Sequence, residues 1–275
     1  MTNTKTRVLS AAIIVPVLLV LLYLGGIPWG VLVATAAALG TFEYYEMARA
    51  RGYKPVAPVG IAASFGFCLA LSMKLPLMGM GILFLGVMAV TALDIRRNDP
   101  TGSIGNVGAS ITGIVYVGGL LAHAILLRSY VGGDALGIFL VFAALAGSML
   151  CDTGAYFTGR AYGTKKMIPN ISPGKTVQGT IGGILSGIAA LCVVTLVGRI
   201  FVDVPFTVSE AALLGFFISL GGVIGDLVES MFKRDAGVKD SGNVIPGHGG
   251  MMDRLDALLW SVPVTCYFAI WTLKY

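Results

Sequence analysis

Charge is scarce in this chain: Asp, Glu, Lys and Arg make up 12% of its 275 residues, against about 25% in a soluble domain. No long hydrophilic stretch breaks the pattern, which excludes a separate soluble domain and leaves one membrane domain over residues 1–275 as the simplest organisation. Histidine is scarcer still, at His123 and His248. The four cysteines, Cys68, Cys151, Cys192 and Cys266, fall in or at the ends of apolar runs and show no C-x-x-C spacing. A disulfide framework and a zinc site are thereby excluded, and the thiols read as small buried hydrophobes. Basic and aromatic residues are not interleaved, so no nucleic-acid partner is expected. The net charge of +5 points instead to cytoplasmic loops and anionic lipid headgroups.

What the chain has is apolar length. Hydrophobic residues are 56% of it, and runs of spanning length cover 8–24, 28–42, 56–73, 76–93, 104–127, 135–151, 179–200, 209–226 and 257–273. The first follows Lys5 and Arg7 but is long for a signal-peptide core and lacks an A-x-A site, so it reads as a retained span. The expected architecture is all-α, a polytopic membrane protein of about nine transmembrane helices. With the N-terminus in the cytoplasm, 15 of the 19 basic residues fall inside and 4 outside (Lys74, Arg128, Arg199 and Lys274). That split follows the positive-inside rule and puts the C-terminus outside. The two longer inside segments, 152–178 and 227–256, make the cytoplasmic face the expected functional one.

Ionisable groups beside lipid are expensive, so their clusters are candidate sites. Asp226 ends the eighth span, with Glu229 and Ser230 three and four residues on and hence on the same helical face. A helix-end carboxylate paired with Lys233 or Arg234 is the plainer alternative. Asp253-Arg254-Leu255-Asp256 opens the ninth span. Carboxylates at the facing ends of these two spans suit one hard cation, and Mg2+ prefers a few carboxylates plus water and substrate phosphates. Between them lies Pro246-Gly247-His248-Gly249-Gly250, a turn whose amides, followed by a helix N-terminus, form a candidate anion nest. His248 is placed to bind phosphate or move a proton, whereas His123 sits mid-span and reads as packing. The other polar stretch holds Asp152, Arg160, Lys165, Lys166, Ser172 and Lys175. Its Gly174-Lys175-Thr176 mimics the end of a P-loop, but the first glycine of that motif would fall on Pro169 and no strand pattern precedes it.

These stretches resemble the phosphatidate cytidylyltransferases. Their signature S-x-x-K-R-x-x-x-x-K-D, P-G-H-G-G and D-R-x-D is matched by Ser230, Lys233-Arg234, Lys239-Asp240, Pro246 to Gly250, Asp253-Arg254 and Asp256. The run from Asp152 to Arg160 and Ser172-Pro173-Gly174-Lys175-Thr176 looks like the family's second conserved region. The resemblance implies a helical fold, a homodimer, a bacterial inner-membrane setting, and the reaction of CTP with phosphatidate to give CDP-diacylglycerol and pyrophosphate. By position it implies Mg2+ on Asp226 and Asp253, with room for a monovalent cation such as K+. Lys175, Lys233, Arg234 and His248 join these two carboxylates as expected catalytic groups. Asp152, Arg160, Ser172, Lys239, Asp240, Gly249, Gly250, Arg254 and Asp256 are the expected substrate contacts. One position departs: the family commonly has Glu two residues after the SPxKT threonine, and this chain has Gln178. A related CTP-using lipid enzyme, such as a polyprenol kinase, and an ion or solute transporter are the competing readings. The gathering of charge at one face, with no internal repeat, weighs against transport.

Overall fold

The computed structural model describes residues 2–131, 133–242, 244 and 249–274, with side chains from residue 12 onward. Among the described residues the chain forms α1 (Thr2–Leu24), α2 (Gly26–Ala50), α3 (Ala57–Ser72), α4 (Pro76–Ile95), α5 (Ser103–Ser129), α6 (Gly133–Tyr162), α7 (Val177–Gly198), α8 (Val208–Ala236) and α9 (Met252–Leu273). Each overlaps one of the expected apolar runs. Seven are long and apolar enough to cross a membrane, the shorter apolar helices being Ala12–Leu24 and Ala57–Ser72. The chain is a polytopic helical membrane protein.

The helices outrun their apolar cores. α6 continues past Cys151 to Tyr162, and α8 past Asp226 to Ala236. Hydropathy reports where lipid ends, whereas a helix ends only where its backbone bonding is interrupted. Residues 163–176 then form the only sheet among the described residues. In it β1 (Lys166–Ile168) pairs antiparallel with β2 (Ser172–Thr176), with Lys166 opposite Thr176 and Ile168 opposite Ser172. No strand pattern is visible there in the sequence.

The chain packs as two compact units, Met1–Ile125 with Phe232–Leu255 and Leu126–Met231 with Asp256–Tyr275. In the first, α2 packs on α3 and on the middle of α5, where a π-helical segment, Gly113–Gly119, widens the helix. Fully buried Tyr45 sits in this contact and donates its hydroxyl to the Ser110 carbonyl at 2.6 Å. A Cβ on either Gly60 or Gly113 would run into its ring. Thr41 adds a bond from its hydroxyl to Ser64 Oγ at 3.0 Å. Small residues thus let helices close on one another, as lipid-embedded packing requires.

In the second unit α6 and α7 make the most extensive pairing. A Cβ at Gly183 would lie 2.8 Å from the Cys151 carbonyl oxygen, so the glycine is what permits the approach. Buried Ser261 on α9 donates to the Ala257 carbonyl at 2.7 Å and reaches the Ile218 carbonyl of α8 at 3.3 Å. His123, in the first unit, turns Nδ1 to the carbonyls of Gly119 and Leu120 in its own helix, at 3.0 and 3.1 Å.

Candidate functional site

Polar groups of the second unit meet in a cleft of about 400 Å³, lined among others by Asp152, Tyr156, Arg160, Lys175, Thr180 and Asp226. Asp152 and Arg160 come from the polar extension of α6, Lys175 from β2 and Asp226 from α8. Lys175 Nζ lies 2.6 Å from Asp226 Oδ2, and the Ser230 hydroxyl donates to Asp226 Oδ1 at 3.3 Å one turn on. The Lys175 and Asp226 side chains remain 22% and 32% exposed, so the pair is open to a ligand.

A second group adjoins Asp226. One carboxylate oxygen from each of Asp226, Glu229 and Asp256 lies within 4.8 Å of the others. Gly225 makes this possible. A Cβ there would collide with the Asp256 carbonyl and come 2.9 Å from Trp260 Cδ1, so only glycine lets α8 approach the start of α9 this closely. Octahedral Mg2+ at its usual bond length sets oxygens about 2.9 Å apart in neighbouring positions and about 4.2 Å apart in opposite ones. Three hard oxygen donors at this spacing fit that ion with little movement.

The hairpin is held to α7 by Gln178. Its Oε1 accepts the backbone N–H groups of Thr164 and Lys165, both at 3.2 Å, and its Nε2 donates to Thr164 Oγ1 at 2.7 Å. Thr176 caps α7 by accepting the Gly179 N–H at 3.1 Å. Gln178 therefore clasps the loop that carries Lys165 and Lys166. Both amide acceptances are available to a carboxylate, and the Thr164 hydroxyl can turn to donate. Gln178→Glu is expected to keep turnover within about threefold of the parent, in line with surface substitutions that preserve their bonds; a loss above tenfold in a steady-state assay would contradict the clasp.

In the first unit the residues around the glycine loop gather on two carboxylates. Asp253 Oδ1 accepts from Lys233 Nζ at 2.8 Å. Its Oδ2 accepts the Ser241 N–H, the Ser241 hydroxyl and the Gly250 N–H at 3.1, 3.0 and 3.1 Å. Glu43, on α2 and 1% exposed, accepts the Met251 N–H on Oε1 at 2.9 Å. Its Oε2 accepts the Met252 N–H at 2.8 Å and lies 2.9 Å from the Ser241 hydroxyl, whose single hydrogen is shared between Glu43 and Asp253. The amides of Gly250, Met251 and Met252, part of the expected anion nest, thus bind the protein's own carboxylates. Gly249, with φ +83°, makes the turn that aims them.

Asp152, Arg160, Lys175 and Asp226 are brought together in the second unit, with Asp256 beside Asp226. Lys233, Asp253, Gly249 and Gly250 belong to the loop assembly of the first. Arg234, Lys239, Asp240 and Arg254 are exposed there, and Ser172 opens β2. Pro246, Gly247 and His248 lie outside the described residues. Glu43 and Ser241 carry no sequence expectation. The usable signal for Glu43 is an ionisable residue at the end of an apolar run, a default candidate in a membrane protein.

The model of the family described as the cytidylyltransferase family matches residues 5–271. A Synechocystis protein named phosphatidate cytidylyltransferase is 31% identical over 96% of this chain and 96% of its own length. Its namesake from Bacillus subtilis is 32% identical with the same coverage of both chains. Another of that name, from Chlamydia pneumoniae, is 33% identical over 97% of this chain and 92% of its own.

Proposed function

Because this chain belongs to the cytidylyltransferase family, we propose that it is a phosphatidate cytidylyltransferase, joining CTP and phosphatidate into CDP-diacylglycerol with release of pyrophosphate. The observation that carries this is full-length similarity to relatives of that name, 31% and 32% identical over 96% of the chain.

The chemistry follows from the substrates. A phosphate monoester with a second pKa of about 6 is already a dianionic nucleophile at neutral pH, so no strong general base is needed. Its oxygen attacks the α-phosphorus of CTP, the bond to the β-phosphate bridging oxygen breaks, and pyrophosphate leaves with that electron pair. The obstacle is repulsion between two polyanions, which positioned cations relieve. Lys175 stands in the cleft for this task, held by Asp226 so that its charge is aimed before substrate arrives. Lys233, oriented by Asp253, and the exposed Arg234 and Arg254 add positive charge for phosphate oxygens.

Mg2+ is the proposed cofactor, with Asp226, Glu229 and Asp256 as the oxygen donors that fit it. When bound, such an ion neutralises charge on the triphosphate. Asp253, whose oxygens lie within hydrogen-bond reach of Lys233, Ser241 and Gly250, enters as the organiser of Lys233 and the start of α9. A monovalent cation beside Mg2+, a homodimer, and an inner-membrane setting with the N-terminus and site cytoplasmic complete the proposal. The 15-to-4 partition of basic residues supports that orientation.

The test is direct. Purified protein given α-labelled CTP and phosphatidic acid should form a labelled lipid and release pyrophosphate. Release of CDP instead would identify a kinase. EDTA should stop turnover and added Mg2+ restore it; turnover indifferent to chelation would end the metal assignment.

A further inference from the structure

We infer that Glu43 is a positioning residue for the transfer reaction: a buried carboxylate that binds the amides at the start of α9 and the Ser241 hydroxyl, and so fixes the segment that carries Asp253, the partner of Lys233. The role rests on the proposed function, which assigns no task to α2.

Three observations, all within the first unit, converge. First, Glu43 is 1% exposed, yet it reaches segments nearly two hundred residues or more away in sequence, accepting from Ser241, Met251 and Met252. A carboxylate this buried is costly unless its oxygens are satisfied, and here they meet the positive N-terminal end of α9. Second, the glycines are shaped around it. A Cβ on Gly242 would lie 2.5 Å from Glu43 Oε1, and one on Gly250 would meet Ser241 Oγ at 2.0 Å and Glu43 Oε2 at 2.7 Å. Gly242 is therefore required by an internal acid, and Gly250 by that acid together with the hydroxyl beside it. Third, the Ser241 hydroxyl lies 2.9 Å from Glu43 Oε2 and 3.0 Å from Asp253 Oδ2, joining the two carboxylates. Asp253 in turn holds Lys233 at 2.8 Å. A chain of contacts thus runs from the interior of α2 to a cationic side chain of the signature.

Glu43→Gln keeps the size of the side chain but presents an N–H2 group to donors. The loop should shift, and a misplacement of about 1 Å at groups aligned for reaction costs about 10²-fold in rate. The expected result is a kcat lowered by about that factor with the KM for phosphatidate within about twofold, because the site is displaced rather than its lipid contacts removed. Adding Ser241→Ala to Glu43→Gln should cost less than the product of the two single losses, since the Ser241–Glu43 contact is already lost and only the Ser241–Asp253 contact remains to be removed. Hydrogen exchange read on the same detergent-solubilised protein should be faster by about tenfold at the Met251 and Met252 amides and unchanged along α2. A kcat near the parent's, multiplicative losses in the double variant, or unchanged exchange would each overturn the proposal. Should Glu43→Gln not accumulate in the membrane, Gly242→Ala presses on the same carboxylate and should reproduce both signatures. If the parent itself makes no CDP-lipid, the function assignment falls, and the exchange experiment still decides whether Glu43 holds the loop.

Discussion

Asp226→Asn should lower CDP-diacylglycerol formation by about 10³-fold, the scale set by removing one preorganised electrostatic group from an active site. The substitution preserves shape and removes charge. It leaves Lys175 without the carboxylate that stands 2.6 Å from it, and it strips one anionic donor from the group formed with Glu229 and Asp256. Insertion should not suffer, because a neutral amide near lipid is cheaper than a carboxylate. The informative measurement is turnover against Mg2+ concentration. Residual activity should need far more Mg2+ than the parent. Near-normal activity at ordinary Mg2+ would remove Asp226 from the reaction.

Asp253→Asn should be nearly as damaging, for a different reason. Oδ2 of Asp253 accepts the Ser241 and Gly250 amides and shares the Ser241 hydroxyl with Glu43, and Oδ1 accepts from Lys233. Whichever way the amide turns, its N–H2 faces donors. Each buried group left unsatisfied costs about 1–3 kcal/mol, and Lys233 loses its orientation. A fall of about 10²-fold in kcat is expected, together with a lower thermal midpoint but an unchanged Mg2+ requirement. That last reading separates the two aspartates: a shifted Mg2+ dependence in Asp253→Asn would return it to the metal.

The helices were legible because lipid imposes a length. Each helix overlaps an apolar run, and only their polar ends were hidden. Nothing in the hydropathy of Asp152 to Tyr162 says that the backbone stays helical beyond the bilayer, yet this extension puts Asp152 and Arg160 in one cleft. The signature was equally legible, since its spacing is long and specific. The division of labour proposed for it was not. Asp226 and Asp253 look equivalent in sequence, both being acids at the end of an apolar run. Only the neighbours distinguish them: Gly225 opens a path from Asp226 to Asp256, whereas Ser241 and Gly250 enclose Asp253. Glu43 was hidden because the second run stops at 42, and everything it touches is folded in from the far end of the chain. Gln178 was noticed as a departure from the family pattern, and its clasp on Thr164 and Lys165 gives a neutral amide a use there.

The buried tyrosine two residues beyond Glu43 extends this dependence into the packing. Tyr45 is a dowel: its ring occupies the sockets left by Gly60 and Gly113, and its hydroxyl is pinned to the Ser110 carbonyl. It therefore indexes the height and rotation of α2, and with them the level at which the Glu43 carboxylate is presented. On the positioning role proposed for Glu43, Gly60 and Gly113 thus become part of the reaction's tolerance, and harm to the joint would be recorded as slow chemistry before it was recorded as unfolding.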